Sequence, residues 1–390
     1  MRVKDAGRVP PGRRGSGAAG QMSERPRALR PSGQQIELDD LVSSLPLLPR
    51  SPSAQGAPAP LPVLDERSRG TKFMGLSVNS VLNTPASTGM GFWSINPYVG
   101  CEFGCTYCYA RDTHRWTMER AVGRTYRPSA LPPEEAFERE ILVKSEVAEV
   151  LARTLNPAQM AGHLLVIGTA TDPYQPAERR FRLTRRILEV LRSYHGLSIS
   201  IITKSPLVTR DLDLLQALSK HNEVSVNISL ATADSRLARR LELRSPVPGA
   251  RLRALRRLTE SGIHAGLLVA PIVPGITDDW AGLARLMEAA KEAGARYVVG
   301  SALRLGPAAR HRFLPYLERE FPELAERYRR HYAGKDHVSQ SYQDALTRRL
   351  RALQQAYGFA VDEGMRRRRQ LEGRAPRKEA TDSVEQAMLL

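Results

Sequence analysis

From Phe92 onward, short apolar segments alternate with amphipathic segments, and the alternation is repeated six times. The apolar segments predict six strands: Ser94–Val99, His163–Gly168, Leu197–Thr203, Val224–Leu230, His264–Pro271 and Arg296–Gly300. The segments between them predict helices, most clearly at Pro133–Thr154, Glu178–Ser193, Arg210–Lys220, Ala250–Ser261 and Asp278–Ala293. Strands that alternate with helices form right-handed β-α-β units around a parallel sheet. The chain is therefore predicted to be an α/β protein, either a partial (β/α)6 barrel or an open doubly wound sheet.

Polar residues on two of the predicted strands favour the barrel. Ser198 and Ser200 alternate with apolar residues on the third strand, and Ser225, Asn227 and Ser229 do so on the fourth. A strand buried on both faces of a packed parallel sheet is apolar throughout. A polar face instead fits the lumen of a barrel that holds a polar ligand, with the apolar face against the outer helices. An irregular edge strand is the alternative explanation.

The two ends of the chain differ from this middle part. Residues 1–70 are rich in Pro, Gly, Ser and Arg and lack an apolar period, so we expect a disordered basic extension. The folded core is assigned to residues 87–325. Residues 326–390 are charged and have helical character, and they include the run Arg366–Arg369. We expect a helical extension that ends in a solvated tail.

The composition restricts the class of protein and its partners. The formal net charge is +17, which fits either a nucleic-acid partner or an Arg-rich composition without a functional meaning. No stretch reaches the roughly 18 apolar residues that a membrane helix needs, and no secretory signal is evident. We therefore expect a cytoplasmic protein without a membrane partner.

Three cysteines lie within eight residues and form the most specific pattern in the chain. Cys101, Cys105 and Cys108 have the spacing C-x3-C-x2-C and directly follow the first predicted strand. Loops at the carboxyl ends of barrel strands carry catalytic residues. Three thiolates suit a four-iron cluster with one iron left open. A structural zinc site would need a fourth ligand, for which His114 is the nearby candidate, and a redox pair would leave Cys101 unexplained.

The chain resembles the radical SAM superfamily, and more narrowly an uncharacterised, actinobacterial-type member of the branch related to spore photoproduct lyase. The matching stretches are NPYVGCEFGCTYCYAR, GTATDPYQPAE, TKSPLVTRDLDLL and GLLVAPIVPGITD. The resemblance implies a partial six-unit barrel and a [4Fe-4S] cluster that binds S-adenosylmethionine at its open iron. It also implies a 5′-deoxyadenosyl radical as the reactive species, and an external electron donor such as flavodoxin or ferredoxin.

The resemblance also implies roles for residues around the cysteines. Tyr107 resembles the aromatic residue that packs near the adenine, and Tyr109 follows the last cysteine. Both are candidates for catalysis. Thr169 and Asp172 stand where the superfamily usually has a Gly-Gly-Glu-like run for the methionyl amino group, and this chain departs from that run.

Three further cofactor-binding candidates lie at the ends of central strands. Lys204 ends the third strand and would meet the methionyl carboxylate as a point charge. Asn227 and Ser229 on the fourth strand would bind the ribose or the methionyl group by hydrogen bonds.

The substrate stays open, and two other classes of protein remain as alternatives. One is a zinc-stabilised nucleic-acid-binding protein, and the other is an iron–sulfur electron-transfer or scaffold protein that never binds S-adenosylmethionine. Nucleic acid is the leading substrate class because the protein is basic. The lyase returns a hydrogen atom from a fourth cysteine, whereas this chain has three cysteines in all. We therefore predict that it does not repair spore photoproduct by the lyase's route.

Overall fold

The computed structural model describes residues 63–66, 70–89, 91–121, 131–360 and 377–378. The central element of the fold is a seven-stranded sheet. Its strands are, in chain order, β3 (Leu82–Asn83), β4 (Trp93–Ile95), β7 (Leu164–Ile167), β9 (Ser198–Thr203), β10 (Glu223–Ser229), β11 (His264–Ile272) and β12 (Val298–Ala302). The spatial order is β12-β11-β10-β9-β7-β4-β3. All neighbours are parallel except the antiparallel pair β3 and β4. Six parallel strands thus follow one another in chain order, which confirms the predicted (β/α)6 arrangement.

Helices follow most of the strands of this sheet and continue beyond the last one. They are α1 (Pro85–Thr88), α2 (Ala110–Ala121), α3 (Pro133–Arg139), α4 (Val147–Thr154), α5 (Glu178–Phe181), α6 (Leu183–Leu191), α7 (Leu212–Ser219), α8 (Ser235–Leu241), α9 (Pro248–Glu260), α10 (Trp280–Glu292), α11 (Pro307–Glu320), α12 (Pro322–His331) and α13 (Gln340–Ala356). Two 3-10 helices, Pro157–Met160 and Pro206–Asp211, lie between them. A separate antiparallel pair consists of β8 (Tyr194–His195) and β13 (Arg377–Lys378). No helix in these described ranges is long and apolar enough to cross a bilayer.

A second, four-stranded sheet corrects the prediction of one helix over Pro133–Thr154. It consists of β1 (Val63–Glu66), β2 (Lys72–Gly75), β5 (Tyr98–Val99) and β6 (Glu140–Val143), in the order β1-β2-β6-β5. The predicted helix is interrupted by β6, because Ile141, Leu142 and Val143 are all fully buried. Three successive buried residues suit a strand that is covered on both faces, and a helix has only one such face.

The expected disordered extension also differs from the structure in part. Residues 63–66 form β1, which pairs with β2 just beyond the extension, where Phe73 is fully buried and its ring centroid lies 5.6 Å from that of Phe181. The rest of the extension, residues 1–62 and 67–69, lies outside the described residues, as does the predicted tail around Arg366–Arg369.

Smaller differences between prediction and structure have local causes. The first predicted strand is split into β4 and β5 around Asn96 and Pro97, where proline offers no N–H for a sheet. The predicted helix Glu178–Ser193 breaks into α5 and α6 at Arg182, whose φ is 51°. The helix predicted over Arg210–Lys220 begins instead with a 3-10 turn.

The polar residues of β9 and β10 are buried within the sheet, as the barrel interpretation predicts. Ser198, Ser200, Ser225, Asn227 and Ser229 are each less than a tenth exposed. Their apolar neighbours on the same strands belong to one hydrophobic core with residues of α6, α7, α9 and α10. The two faces of these strands therefore have different environments, one polar and one packed against helices.

The helices after β12 pack against the same core. Leu346, Leu350 and Leu353 of α13 belong to it, and a Cβ atom at Gly300 of β12 would lie 2.7 Å from Leu350. The N-terminus of α11 is capped by α2, because the Asp112 carboxylate accepts the Ala308 N–H at 2.8 Å. The boundary between a core of residues 87–325 and an extension of residues 326–390 stays a prediction.

Candidate active site

The three cysteines lie on the segment between β5 and α2, here called the cysteine loop (residues 100–109). Two glycines give this loop its path. Gly100 has a φ of 94° and Gly104 a φ of 62°, values that favour glycine. A Cβ atom at Gly100 would lie 2.8 Å from the Phe137 carbonyl oxygen, so no side chain fits there. The two glycines thus let the loop turn tightly while its backbone packs against Phe137.

Backbone hydrogen bonds fix the loop on two sides. The Cys101 N–H donates to the Phe137 carbonyl at 2.8 Å, and the Thr106 N–H donates to the Leu241 carbonyl at 3.0 Å. Cys105 forms an isolated antiparallel bridge with Glu242. The loop is therefore held between α3 and the end of α8.

Hydrogen bonds from the loop after β7 hold the cysteine loop on a third side. The Gln175 side chain accepts the Glu102 N–H at 2.9 Å and donates to the Gly100 carbonyl at 3.2 Å. In return, the Glu102 carboxylate accepts the Ala177 N–H at 2.7 Å. Both residues belong to motifs in the sequence, but no local pattern indicates that they contact each other.

The three thiols are free, and two of them are buried. Burial raises the pKa of Cys105 to about 12, although Lys204 opposes the shift, and burial also raises the pKa of Cys101 and Cys108. The thiols are thus protonated at neutral pH, and binding of a metal would release their protons. Because Cys105 also lies 3.6 Å from the Ser245 hydroxyl, its sulfur already has a polar neighbour.

The donor set fits an iron–sulfur cluster. Three thiols on one glycine-containing loop match the ligands that such clusters use. Among the described residues, no three His, Cys, Asp or Glu side chains converge closely enough to hold a single metal ion. A four-iron cluster makes a different demand, because each thiolate binds a separate iron. His114 is fully buried against the Phe137 ring, and burial lowers its pKa to about 4.

Lys204 and Glu242 form a buried ion pair beside the cysteine loop. The Lys204 ammonium lies 3.5 Å from the Glu242 carboxylate and donates to the Ser229 hydroxyl at 2.8 Å. Burial is the largest influence and would lower the pKa of Lys204, but Glu242 and the other acidic groups nearby together hold that pKa above its ordinary value. The ammonium also lies 5.9 Å from the centre of the Tyr107 ring. Two of the predicted cofactor-binding residues, Lys204 and Ser229, are thus in contact.

Glu242 has two further partners, which makes it the centre of this group. Arg251 pairs with its carboxylate, and the Tyr107 hydroxyl donates to it. Burial alone would raise the pKa of Glu242, but Arg251 and Lys204 hold it below its ordinary value. Sequence reasoning missed both Glu242 and Arg251, which follow the fourth predicted strand in a segment that looks like an exposed charged helix.

Asp172 is occupied by contacts within the protein. Its carboxylate accepts three hydrogen bonds, from the Tyr174 N–H at 2.9 Å, the Thr203 hydroxyl at 2.6 Å and the Lys204 N–H at 2.7 Å. These contacts join the loop after β7 to the end of β9. Asp172 therefore orients the backbone from which Lys204 extends, and its contact with a cofactor stays a prediction.

Asn227 likewise has its amide engaged inside the barrel. The amide donates to the Ser200 hydroxyl at 2.8 Å and to the Ile201 carbonyl at 3.3 Å, and it accepts the Tyr297 hydroxyl at 3.0 Å. A role for Asn227 toward a cofactor also stays a prediction.

Thr169 and Tyr109 meet at the rim of the barrel. The Tyr109 hydroxyl donates to the Thr169 carbonyl, and the Thr169 hydroxyl accepts from the Asn96 amide at 3.1 Å. Tyr109 is 40% exposed, whereas Tyr107 is buried. The two candidate catalytic tyrosines thus have different environments, one open to a substrate and one enclosed.

Comparison with known proteins gives the family. A model of the radical SAM superfamily matches residues 95–287. An uncharacterised protein of Mycobacterium tuberculosis is 33% identical over 301 residues, which cover 75% of this chain and 85% of that protein. An uncharacterised protein of Methanocaldococcus jannaschii is 27% identical over 241 residues, which cover 60% of this chain and 77% of that protein.

A solved structure shares the fold. Spore photoproduct lyase complexed with a dinucleoside spore photoproduct has a TM-score of 0.55 and 15% sequence identity, over 78% of this chain and 85% of that chain. The likeness agrees with the six parallel strands of the fold. On the family match and the mycobacterial relative, this chain belongs to the radical SAM superfamily and is a radical SAM enzyme.

Proposed function

We propose that Cys101, Cys105 and Cys108 hold a [4Fe-4S] cluster with which this enzyme generates a 5′-deoxyadenosyl radical from S-adenosylmethionine. The observation that carries the proposal is the set of three free thiols on one tightly held loop, in a chain that has no fourth cysteine. When bound and reduced, such a cluster supplies the electron that cleaves S-adenosylmethionine into methionine and the radical. A reducing cytoplasm would keep the thiols free, and an external donor such as flavodoxin or ferredoxin would provide the electron.

The residues of the chain have distinct parts in this proposal. Lys204 binds the methionyl carboxylate, since its ammonium carries a charge that Glu242 stabilises next to the cysteine loop. Ser229 holds the Lys204 side chain and offers a hydroxyl to the same ligand. Thr169, Asp172 and Asn227 complete the pocket wall, and Tyr107 and Tyr109 lie toward the adenine and the substrate. The protein thereby orients the reagent and excludes water.

The direct test is anaerobic reconstitution with iron and sulfide, followed by an assay for 5′-deoxyadenosine. We expect about four irons and four sulfides per chain. Dithionite and S-adenosylmethionine should then give 5′-deoxyadenosine even without substrate. A cluster that forms but yields no 5′-deoxyadenosine would favour an electron-transfer or scaffold protein instead.

Replacement of Lys204 by alanine is expected to weaken S-adenosylmethionine binding while the cluster still forms. Loss of a charge-assisted hydrogen bond costs roughly 1.5–3 kcal/mol, or roughly tenfold to a hundredfold in affinity. The measurement is a titration of the reconstituted protein with S-adenosylmethionine. Lys220, exposed at the end of α7, gives the matched control K220A, which should bind like the wild type. Equal affinities for K204A and the wild type would remove Lys204 from the site.

We further propose a nucleic acid as the substrate class, supported by the net charge of +17. The solved lyase structure contains a dinucleoside spore photoproduct. We nevertheless expect no repair of that lesion by the lyase's route, because all three cysteines are committed to the cluster and no thiol is left to return a hydrogen atom.

The test of this expectation is anaerobic incubation with dithionite, S-adenosylmethionine and the dinucleoside lesion. Formation of 5′-deoxyadenosine without repaired dinucleoside is the expected result. Repair over multiple turnovers would contradict it.

A further inference from the structure

A cluster of four charged residues lies directly behind the cysteine loop. The Glu138 carboxylate contacts three guanidinium groups, those of Arg111, Arg244 and Arg312. Arg111 is fully buried, and Glu138 is 7% exposed. Three positive charges around one negative charge leave an excess of two positive charges at this position.

Two of these arginines also donate hydrogen bonds to the backbone of the cysteine loop. Arg111 donates to the Cys105 carbonyl at 2.8 Å, and Arg244 donates to the Glu102 carbonyl at 2.5 Å. Gly104 lies between these two carbonyls in the chain. A Cβ atom at Gly104 would lie 2.6 Å from Arg244 Nη2 and 2.9 Å from Glu138 Oε2. The loop therefore rests directly on the charged group, without a side chain between them.

This arrangement has both a geometric and an electrostatic consequence. Hydrogen bonds to two loop carbonyls restrict the positions of Cys101 and Cys105, as outer groups around metal sites do. A cluster with three thiolate ligands is anionic, and reduction adds one more negative charge. Cations beside the loop stabilise the more negative state, so the excess positive charge of this group favours the reduced cluster, most strongly through the fully buried Arg111 and less through the partly exposed Arg244.

We infer that Arg111 and Arg244, held by Glu138, are positioning residues that keep the cysteine loop in its cluster-binding shape and raise the reduction potential of the cluster. The inference rests on the proposed function. It assigns a task to residues that hold the loop through its backbone carbonyls. Arg244 is the best site for a test because its side chain is 40% exposed and lines a surface cavity of about 490 Å³, where water can replace it.

The experiment compares R244Q with R239Q after anaerobic reconstitution. Arg239 is a matched control, since it is exposed, lies five positions earlier and also donates to a backbone carbonyl, that of Leu243. We expect the R244Q cluster to have a more negative midpoint potential in a titration followed by electron paramagnetic resonance. We also expect it to release iron to a chelator several-fold faster. R239Q should match the wild type in both measurements.

The variant R244K separates the two effects. Lysine keeps the charge but lacks the planar fork that reaches two acceptors. The midpoint potential of the R244K cluster should stay near that of the wild type, while its iron is released faster. If R244Q holds no cluster, the same two measurements are made on R244K. An unchanged potential and release rate in R244Q would overturn the inference, as would a loss of thermal stability alone. If the wild type takes up no iron and sulfide, the proposed function fails first.

Discussion

Replacement of any one of Cys101, Cys105 or Cys108 by alanine is expected to abolish the reconstituted iron–sulfur cluster. The chain has three cysteines and all are on one loop, so no other thiol can take the place of a lost ligand. Iron and sulfide content should fall to background, and the brown colour should be lost. 5′-Deoxyadenosine formation should disappear with it, since under the proposed function the electron that cleaves S-adenosylmethionine comes from this cluster.

A hydroxyl close to the cysteines provides the control. Ser245 lies 3.6 Å from the Cys105 sulfur, so S245A changes the surroundings of a ligand without removing one. We expect S245A to keep its cluster. One zinc per chain without sulfide in the wild type would contradict the iron–sulfur assignment and support the zinc alternative. Wild-type cluster content in any single cysteine variant would contradict it as well.

Replacement of Glu242 by alanine is expected to reduce the free energy of unfolding by about 3–5 kcal/mol. Arg251 is 1% exposed and would remain buried without its carboxylate partner, and Lys204 would lose the same partner. The measurement is denaturant unfolding of the protein before reconstitution, so that loss of a cluster does not contribute. E242Q should be less destabilising than E242A, because it keeps one acceptor oxygen for these groups.

A double variant tests the cause of that loss. In E242A with R251M, both charges of the buried pair are absent, and we expect it to be more stable than E242A alone. Equal stabilities for the single and double variants would show that the loss does not come from an unpaired arginine. A loss below 1 kcal/mol in E242A would show that Glu242 is exposed to water in solution.

The parallel sheet was predictable because its signals are local. Each strand has its own apolar run, and the alternation of Ser198 and Ser200 with apolar residues marks the polar face within one strand. The cysteine spacing is also local. By contrast, β6 could not be found, since Ile141–Val143 forms a strand through partners that are distant in the sequence: Lys72–Gly75 on one side and Tyr98–Val99 on the other. A short apolar run between two helical segments looks like the continuation of a helix.

The charged group around Glu242 could not be predicted either, because its contacts join segments that are distant in the sequence. Glu242 and Arg251 look like ordinary charged residues of exposed helices, and their burial depends on Tyr107 and Lys204 being brought next to them. The local pattern does identify Lys204, because it follows the end of a strand and lies on the same face of that strand as Ser198 and Ser200. It does not show that Asp172 is needed to hold the backbone at Lys204, since that contact joins two different loops.

The cysteine loop is translated early, whereas its partners are translated late. Ser245 follows Cys105 by 140 residues. Synthesis adds roughly 5–20 residues per second, so roughly 7–28 s separate Cys105 from Ser245 at the ribosome. During this interval the thiols lack the contacts that hold the loop from the side of Leu241 and Ser245. Under the proposed function, iron and sulfide would therefore meet a fully held loop only after residue 245 has been synthesised.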